Sequence, residues 1–177
     1  MLMKIGVGLA VLIVGFVVVV ATRPDRFHIE RSATIAAPPD VVFAQLDDFH
    51  KWSAWSPWEA LDPTMKKTFD GPASGAGAVY SWVGNDKVGE GRMTIVAASA
   101  PSQVDIKLEF LKPWQATNQA LFTLAPSDGG TRVVWAMNGT NNFAAKAFSL
   151  FMDMDKMVGG DFERGLAKLK TVSETHH

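Results

Sequence analysis

The chain is nearly neutral and contains no cysteine. Its 177 residues carry a formal net charge of −1, and this length suits one domain with a short appendage, because two full cores would not fit. The absence of cysteine excludes thiolate metal sites, iron–sulfur clusters and thiol nucleophiles. Lysine and arginine are scattered rather than clustered, so we do not expect a nucleic-acid partner.

An uninterrupted apolar segment lies near the N-terminus, from Ile5 to Ala21. As a helix it would measure about 25 Å, close to the lower limit for crossing a hydrocarbon core of about 30 Å. We therefore predict an N-terminal transmembrane helix within a hydrophobic anchor over residues 1–23, followed by one domain over residues 24–175. A cleaved signal peptide is the alternative, because Val19 and Ala21 fit the small-residue pattern that precedes a cut.

The charges that flank this segment bear on its orientation. Lys4 and the α-amino group favour a cytoplasmic N-terminus, whereas Arg23, Arg26 and Arg31 favour the reverse. We expect a single-pass membrane protein whose soluble domain lies outside the cytoplasm.

The domain begins with a strand and a short helix. Apolar and polar residues alternate from Phe27 to Ile35, which is the period of a strand. Pro38 and Pro39 suit the first turn of a helix, which we predict to be amphipathic and to end near His50.

Further strand-like runs follow a tryptophan-rich connection, and turn residues separate them. They cover residues 65–69, 78–83, 92–98, 104–110, 120–124 and 132–138. The clearest alternation of apolar and polar side chains is in residues 104–110. Successive runs joined by short turns predict hairpins, and hence an antiparallel sheet.

Helix-forming residues follow Asn141, and an apolar stripe at helical spacing predicts a long C-terminal helix to about Ser173. Gly159 and Gly160 lie inside it, where each costs about 1 kcal/mol relative to alanine. Either the helix breaks there, with Asp161 capping a second segment, or a neighbour packs too closely for a side chain. The order of elements is α+β, with a curved antiparallel sheet wrapped around the long C-terminal α-helix and space between them.

Three stretches of the sequence are similar to those of a known superfamily: RSATIAAPPDVVFAQL in the first strand and helix, KWSAWSPW over residues 51–58, and MDKMVGGDFERGLAKLK near the C-terminus. Residues 27–173 resemble the polyketide cyclase/dehydrase-like branch of the SRPBCC superfamily, which contains the START lipid-transfer domains and the birch-pollen-allergen fold. The resemblance implies a helix-grip fold with a deep apolar cavity between the sheet and the C-terminal helix. It does not imply one chemistry, because members include carriers, cyclases, hydrolases and partner-binding modules.

Aromatic and methionine side chains are the candidates for the wall of such a cavity. Indoles bring a large apolar area with one polar group, which suits a cavity for an apolar ligand, and thioethers adapt to ligands of varied shape. The alternative is plain core packing, with the tryptophans of residues 52–58 plugging one end of the core. The candidate ligand-binding residues are Trp52, Trp55, Trp58, Trp82, Phe110, Trp114, Trp135, Phe151 and Met152.

No catalytic constellation is identifiable in the sequence. His28 and His50 are interpreted as surface residues, on the polar side of a strand and at a helix end respectively. No serine lies in a nucleophile elbow, and residues 75–77 form a turn rather than a dinucleotide-binding loop. Asp153 and Asp155 are interpreted as helix N-terminal carboxylates rather than metal ligands. We predict no metal and no cofactor, and the catalytic residues, if any, stay unknown.

These observations favour a membrane-tethered binding protein for a lipid or another hydrophobic small molecule. The first alternative is a cyclase, dehydratase or hydrolase acting on a hydrophobic substrate, with a pocket charge from residues such as Glu90, Arg92 or Glu109. The second is a protein-interaction module. An ionisable group in the cavity would favour the enzyme, a wholly apolar lining the binding protein, and a closed, filled core the interaction module. The sequence indicates no oligomeric state.

Overall fold

Seven strands form one antiparallel sheet with helices around it. The computed structural model describes residues 2–175, with the side chains of all but residues 2–5 and 7. The helices are α1 (Leu2–Ala21), α2 (Pro39–Leu46), α3 (Phe143–Phe148) and α4 (Met154–Thr175), with 3₁₀ segments at Phe49–Ala54 and Glu59–Leu61. The strands are β1 (Arg26–Ile35), β2 (Lys66–Asp70), β3 (Val79–Val83), β4 (Glu90–Ser99), β5 (Gln103–Lys112), β6 (Ala116–Ser127) and β7 (Gly130–Thr140). Their order across the sheet is β1-β7-β6-β5-β4-β3-β2.

The apolar N-terminal segment is helical, and its described side chains are mostly exposed, Leu12 by 71%. Near its end α1 contacts α3, and Val20 is fully buried. Within residues 2–175, no helix is both long and apolar enough to cross a membrane. The predicted transmembrane helix is therefore not confirmed.

The predicted strands are all present, and most are longer than the sequence indicates. Alternation sets their faces: in β1, Ile29 and Ile35 are buried, and their register places them opposite Met137 and Thr131 of β7. Strands β1 and β2 form the two edges of the sheet. From β2 to β7, each strand pairs with the next one in the chain, and β7 also pairs with β1. One face of the sheet, the concave face, carries the buried side chains and packs against α2 and α4.

The helical part differs from the sequence prediction in two places. Helix α2 ends at Leu46, and His50 lies in the following 3₁₀ segment. The C-terminal region contains two helices rather than one, because α3 ends at Phe148 before α4 begins. Asn142 caps α3, since its side chain accepts a hydrogen bond from the Ala145 N–H at 2.8 Å.

Helix α4 is continuous through its paired glycines, and close packing explains one of them. A Cβ on Gly159 would lie 2.1 Å from the Arg31 guanidinium, which crosses from β1 to α4. Arg31 there binds Asp155 at 2.9 Å and Glu163 at 2.8 Å. Only the side chain of Arg164, at 3.6 Å, lies near a Cβ built on Gly160. The structure therefore gives a packing reason for the first of the two glycines only.

Candidate functional site

The middle of the concave face is a filled aromatic core. The Trp52 and Trp55 rings lie 4.6 Å apart, and their indole N–H groups donate to the carbonyls of Leu46 at 3.0 Å and Gln45 at 3.1 Å. The Trp135 ring stacks on Phe162 of α4 at 4.1 Å. All three tryptophans are at most 4% exposed. The structure thus places these candidate residues in the core, where a ligand would have to displace packed rings.

Three other candidates lie at the edge of this core and are partly or largely buried. Trp58 packs edge-on against Trp135 at 5.8 Å. Trp82 of β3 meets Phe110 of β5 at 6.1 Å across β4, and it can do so because β4 has glycine between them: a Cβ on Gly91 would lie 2.4 Å from the Trp82 ring. Trp82 and Phe110 thus form the wall of the concave face nearest the start of β4, whereas Trp58 lies between β7 and α4.

The last three candidates are on the surface. Trp114, in the loop between β5 and β6, is 79% exposed, and Phe151, between α3 and α4, is 78% exposed. Met152 beside it is 42% exposed. Their exposure shows that the aromatic core does not include them.

An open pocket of about 300 Å³ lies on the concave face at its β2–β3 edge, beneath the 3₁₀ segments. We call it the edge pocket; its lining residues are Phe49, His50, Ser53, Glu59, Lys67, Phe69 and Tyr80. A second depression of about 190 Å³ adjoins it, because both share Phe49, His50 and Phe69. The register of β2 and β3 brings the lining side chains to one face of the sheet, since Phe69 lies opposite Tyr80 and Lys67 lies opposite Trp82.

Aromatic rings line this pocket, and His50 belongs to that wall. Its ring stacks on Phe69 at 4.2 Å. The Phe69 ring in turn lies 5.3 Å from Tyr80, and Phe49 lies 6.0 Å from Tyr80. The His50 Nδ1 atom is 2.9 Å from an Asp48 carboxylate oxygen, which also accepts the His50 backbone N–H. Asp48 therefore fixes the imidazole against the aromatic wall.

Two further polar groups meet in the edge pocket. The Lys67 ammonium is paired with the Glu59 carboxylate, and both side chains are at most 26% exposed. Burial and, secondarily, the negative charge of Glu59 raise the pKa of the Tyr80 phenol above its ordinary value of about 10. The phenol is thus protonated at neutral pH, and the pocket offers hydrogen-bonding groups with little net charge.

A model of the family described as "Polyketide cyclase / dehydrase and lipid transport" matches residues 26–174. The chain belongs to this family. The match begins at the first residue of β1 and ends one residue before the end of α4, so it covers the whole sheet and its helices but not α1. No curated protein sequence matches the chain.

Solved structures share the fold of this family member. Protein MLL2253 from Mesorhizobium loti is 16% identical with a TM-score of 0.61, over 85% of this chain and 99% of that one. The Aha1 dimer from Colwellia psychrerythraea is 16% identical with a TM-score of 0.58, over 81% and 93%. The di-domain ARO/CYC StfQ from the steffimycin biosynthetic pathway is 10% identical with a TM-score of 0.61, over 86% of this chain and 52% of that one. They confirm the helix-grip fold.

The charged residues considered from the sequence of this polyketide cyclase/dehydrase family member face away from the concave side. Glu109 binds Arg92 at 2.9 Å and Lys107 at 2.8 Å, and Glu90 binds Lys112 at 2.7 Å. The pKa of Glu109 is lowered by its hydrogen bonds to Lys107 and Arg92. These salt bridges lie on the outer face of the sheet, so none of them places a charge on the concave face.

None of the seven residues that line the edge pocket is among the candidate ligand-binding residues of the sequence. The sequence predicts a surface position for His50, and its side chain is 53% exposed, but its ring also stacks on Phe69 in the pocket wall. The alternation of β2 carried the available signal: Lys67 and Phe69 share the face of Tyr80 and Trp82. Nothing in the spacing shows that the 3₁₀ segments lie over these strands.

Proposed function

We propose that this protein binds a hydrophobic small molecule that carries a polar group, and that it does so in the edge pocket. The observation that carries the proposal is the pocket's composition: rings of Phe49, Phe69 and Tyr80 surround a hydroxyl, an imidazole and an ion pair. Small-molecule sites are typically apolar clefts with a few convergent polar groups that fix orientation. Membership of a family described by cyclases, dehydrases and lipid transport supports the same class of ligand.

The experiment is photolabelling of the full chain in phosphatidylcholine nanodiscs with a long-chain fatty acid that carries a diazirine. We expect labelled peptides from residues 49–53 and 67–80. Phe69→Asp should lower that labelling about tenfold, because losing one aromatic contact of about 1.4 kcal/mol or more changes affinity by this factor. Val96→Asp is the matched control, since Val96 is an exposed apolar residue of β4 outside the pocket. Equal labelling of both variants would refute the site.

A catalytic role is the second candidate, and the Asp48–His50 pair favours it. A carboxylate that fixes one imidazole nitrogen leaves the other available as a proton acceptor, which is the geometry of a general base. A purely binding protein would keep its photolabelling in His50→Gln and release the molecule it captured unchanged. Recovery of a chemically altered molecule from the native chain but not from His50→Gln would establish turnover.

We further propose that α1 tethers the domain to a membrane. Support comes from its described side chains, which are apolar and largely exposed from Leu9 to Val19, and such a surface gains about 25 cal/mol per Å² on leaving water. A single-pass anchor, with the domain outside the cytoplasm, stays a prediction.

A further inference from the structure

The exposed apolar side chains of the domain are gathered at one end of the sheet. This end, the anchor end, is where β1, β4 and β6 begin and where β5 and β7 finish. Its exposed apolar residues are Leu111, Trp114, Phe143, Phe148, Phe151 and Met152. Two of them, Trp114 and Phe151, are among the most exposed side chains of their size in the described chain.

The opposite end of the sheet lacks such residues. Its turns run through Ser102 and through Asp128 and Gly129, between β4 and β5 and between β6 and β7. Across the described residues outside α1, five other large apolar side chains are exposed: Leu61, Phe69, Val83, Val96 and Met157. Val83 also lies at the anchor end, because it ends β3 opposite the first residue of β4. A clustered patch of exposed apolar side chains marks an interaction surface.

Helix α1 leaves the domain at the same end. Only residues 22–25 separate α1 from β1, a span of at most about 14 Å. Hydrogen bonds hold this connection: the Asn141 backbone N–H donates to Asp25 O at 2.8 Å, and its side chain donates to Pro24 O at 3.2 Å. Lys146 of α3 binds the Asp25 carboxylate. The anchor end therefore cannot be far from whatever surface holds α1.

The loop that carries Trp114 is within reach of the same plane. It joins β5 and β6, which lie two to three strand spacings from β1, or about 10–14 Å. Trp114 is thus close enough to share one flat interface with α3 and its following loop. Trp and Phe side chains are suited to the boundary between headgroups and acyl chains.

Most charge around this end is paired, although Arg23 and Arg26 beside α1 add two exposed positive charges. Lys112 pairs with Glu90, Lys146 with Asp25, and Lys156 with Asp153. The apolar side chains therefore supply the binding energy on a neutral surface, and the two arginines add attraction only where headgroups are anionic.

We propose that the anchor end of the domain rests on the lipid bilayer, with Trp114 and Phe151 inserted at the headgroup boundary. This inference rests on the proposed tether through α1 and adds the orientation of the domain. Because the binding energy is apolar, a neutral phosphatidylcholine surface suffices.

The natural absence of cysteine allows a direct test in the full chain. Single labels of an environment-sensitive nitrobenzoxadiazole dye are placed through Val14→Cys, Trp114→Cys, Phe151→Cys and Asp128→Cys, all at exposed positions. The chain is reconstituted in phosphatidylcholine vesicles. We expect a blue-shifted emission with a several-fold rise in intensity at 14, 114 and 151 in this neutral lipid, and an aqueous spectrum at 128.

The outcomes separate the two claims. A lipid spectrum at position 14 with an aqueous one at 114 or 151 would overturn the docking and leave the tether in place; the apolar end would then be available to a protein partner. An aqueous spectrum at position 14 would overturn both. A lipid spectrum at position 128 as well would show that the domain has no preferred orientation, which also contradicts the proposal.

Discussion

Two glycines of α4 should respond in opposite directions to the same substitution. Gly160→Ala adds a methyl group where the nearest atom lies at 3.6 Å, so the expected effect is the gain in helix propensity, about 1 kcal/mol. In Gly165→Ala the new Cβ would lie 2.7 Å from the Trp135 ring and 3.1 Å from Pro57. The ring is stacked between neighbours and cannot withdraw, and overpacking of this kind costs about 1–3 kcal/mol.

The net expectation follows from these two contributions. Gly160→Ala should stabilise the domain by up to about 1 kcal/mol, and Gly165→Ala should destabilise it by up to about 2 kcal/mol once the same propensity gain is subtracted. For a domain of this size 1 kcal/mol corresponds to about 2–4 °C. Because the propensity gain is common to both variants, their thermal midpoints, followed by near-ultraviolet circular dichroism of the full chain, should differ by about 2–12 °C. Equal midpoints would refute the claim that α4 is packed onto the Trp135 ring through glycine.

Two further predictions concern titration. The chain has one tyrosine, so absorbance at alkaline pH reports Tyr80 alone: the native phenol should ionise only well above pH 10, and in Glu59→Gln its pKa should fall but stay above 10, because burial is the larger cause. An unchanged titration would contradict the Glu59 contact. Arg31 lowers the pKa of Asp155 through their hydrogen bonds, so this carboxylate stabilises the fold above its unfolded pKa of about 3.9 and the stabilisation is lost as pH falls through the lower folded value. The stability difference between the native chain and Arg31→Gln should accordingly be largest near neutral pH and shrink below about pH 4; a difference independent of pH would exclude this pair as its source.

The strands were predictable because each buries one face against the core, which makes apolar and polar residues alternate in the sequence. In β5, Val104 and Ile106 are buried, and the period of two is visible in the letters alone. Strand ends were less predictable, since β6 begins with Ala116 and Thr117, exposed residues that pair with β5 through backbone bonds. The separation of α3 from α4 was missed for a similar reason: residues 149–153 have helix-compatible side chains, and only the Asp153 cap marks the new start.

The reason for the glycines in α4 could not be read from the sequence. The packing alternative was right for Gly159, but the residue that fills the space, Arg31, is 128 positions earlier and belongs to a strand whose alternation puts it on the concave face. Periodicity shows which way a side chain points, whereas the identity of its neighbour depends on how the helix crosses the sheet. The same limit explains the tryptophans: composition predicted an aromatic interior, and only the packing separates Trp52 and Trp55 in the core from Trp114 on the surface.

The packing of the core bears on the choice between a binding protein, an enzyme and an interaction module. A filled core was expected of an interaction module, and the centre of the concave face is filled by Trp55, Phe122 and Trp135. Yet an interaction module needs no aromatic pocket with a fixed imidazole, and the edge pocket has both. Its polar groups also distinguish it from a site for pure hydrocarbon, because covering a polar group with hydrocarbon removes its hydrogen bonds to water without replacing them. An apolar molecule with at least one carbonyl or hydroxyl group would match both the aromatic walls and the polar groups of the pocket. Such a ligand fits a binding protein and an enzyme equally, and the two are distinguished by whether the bound molecule is chemically altered beside His50.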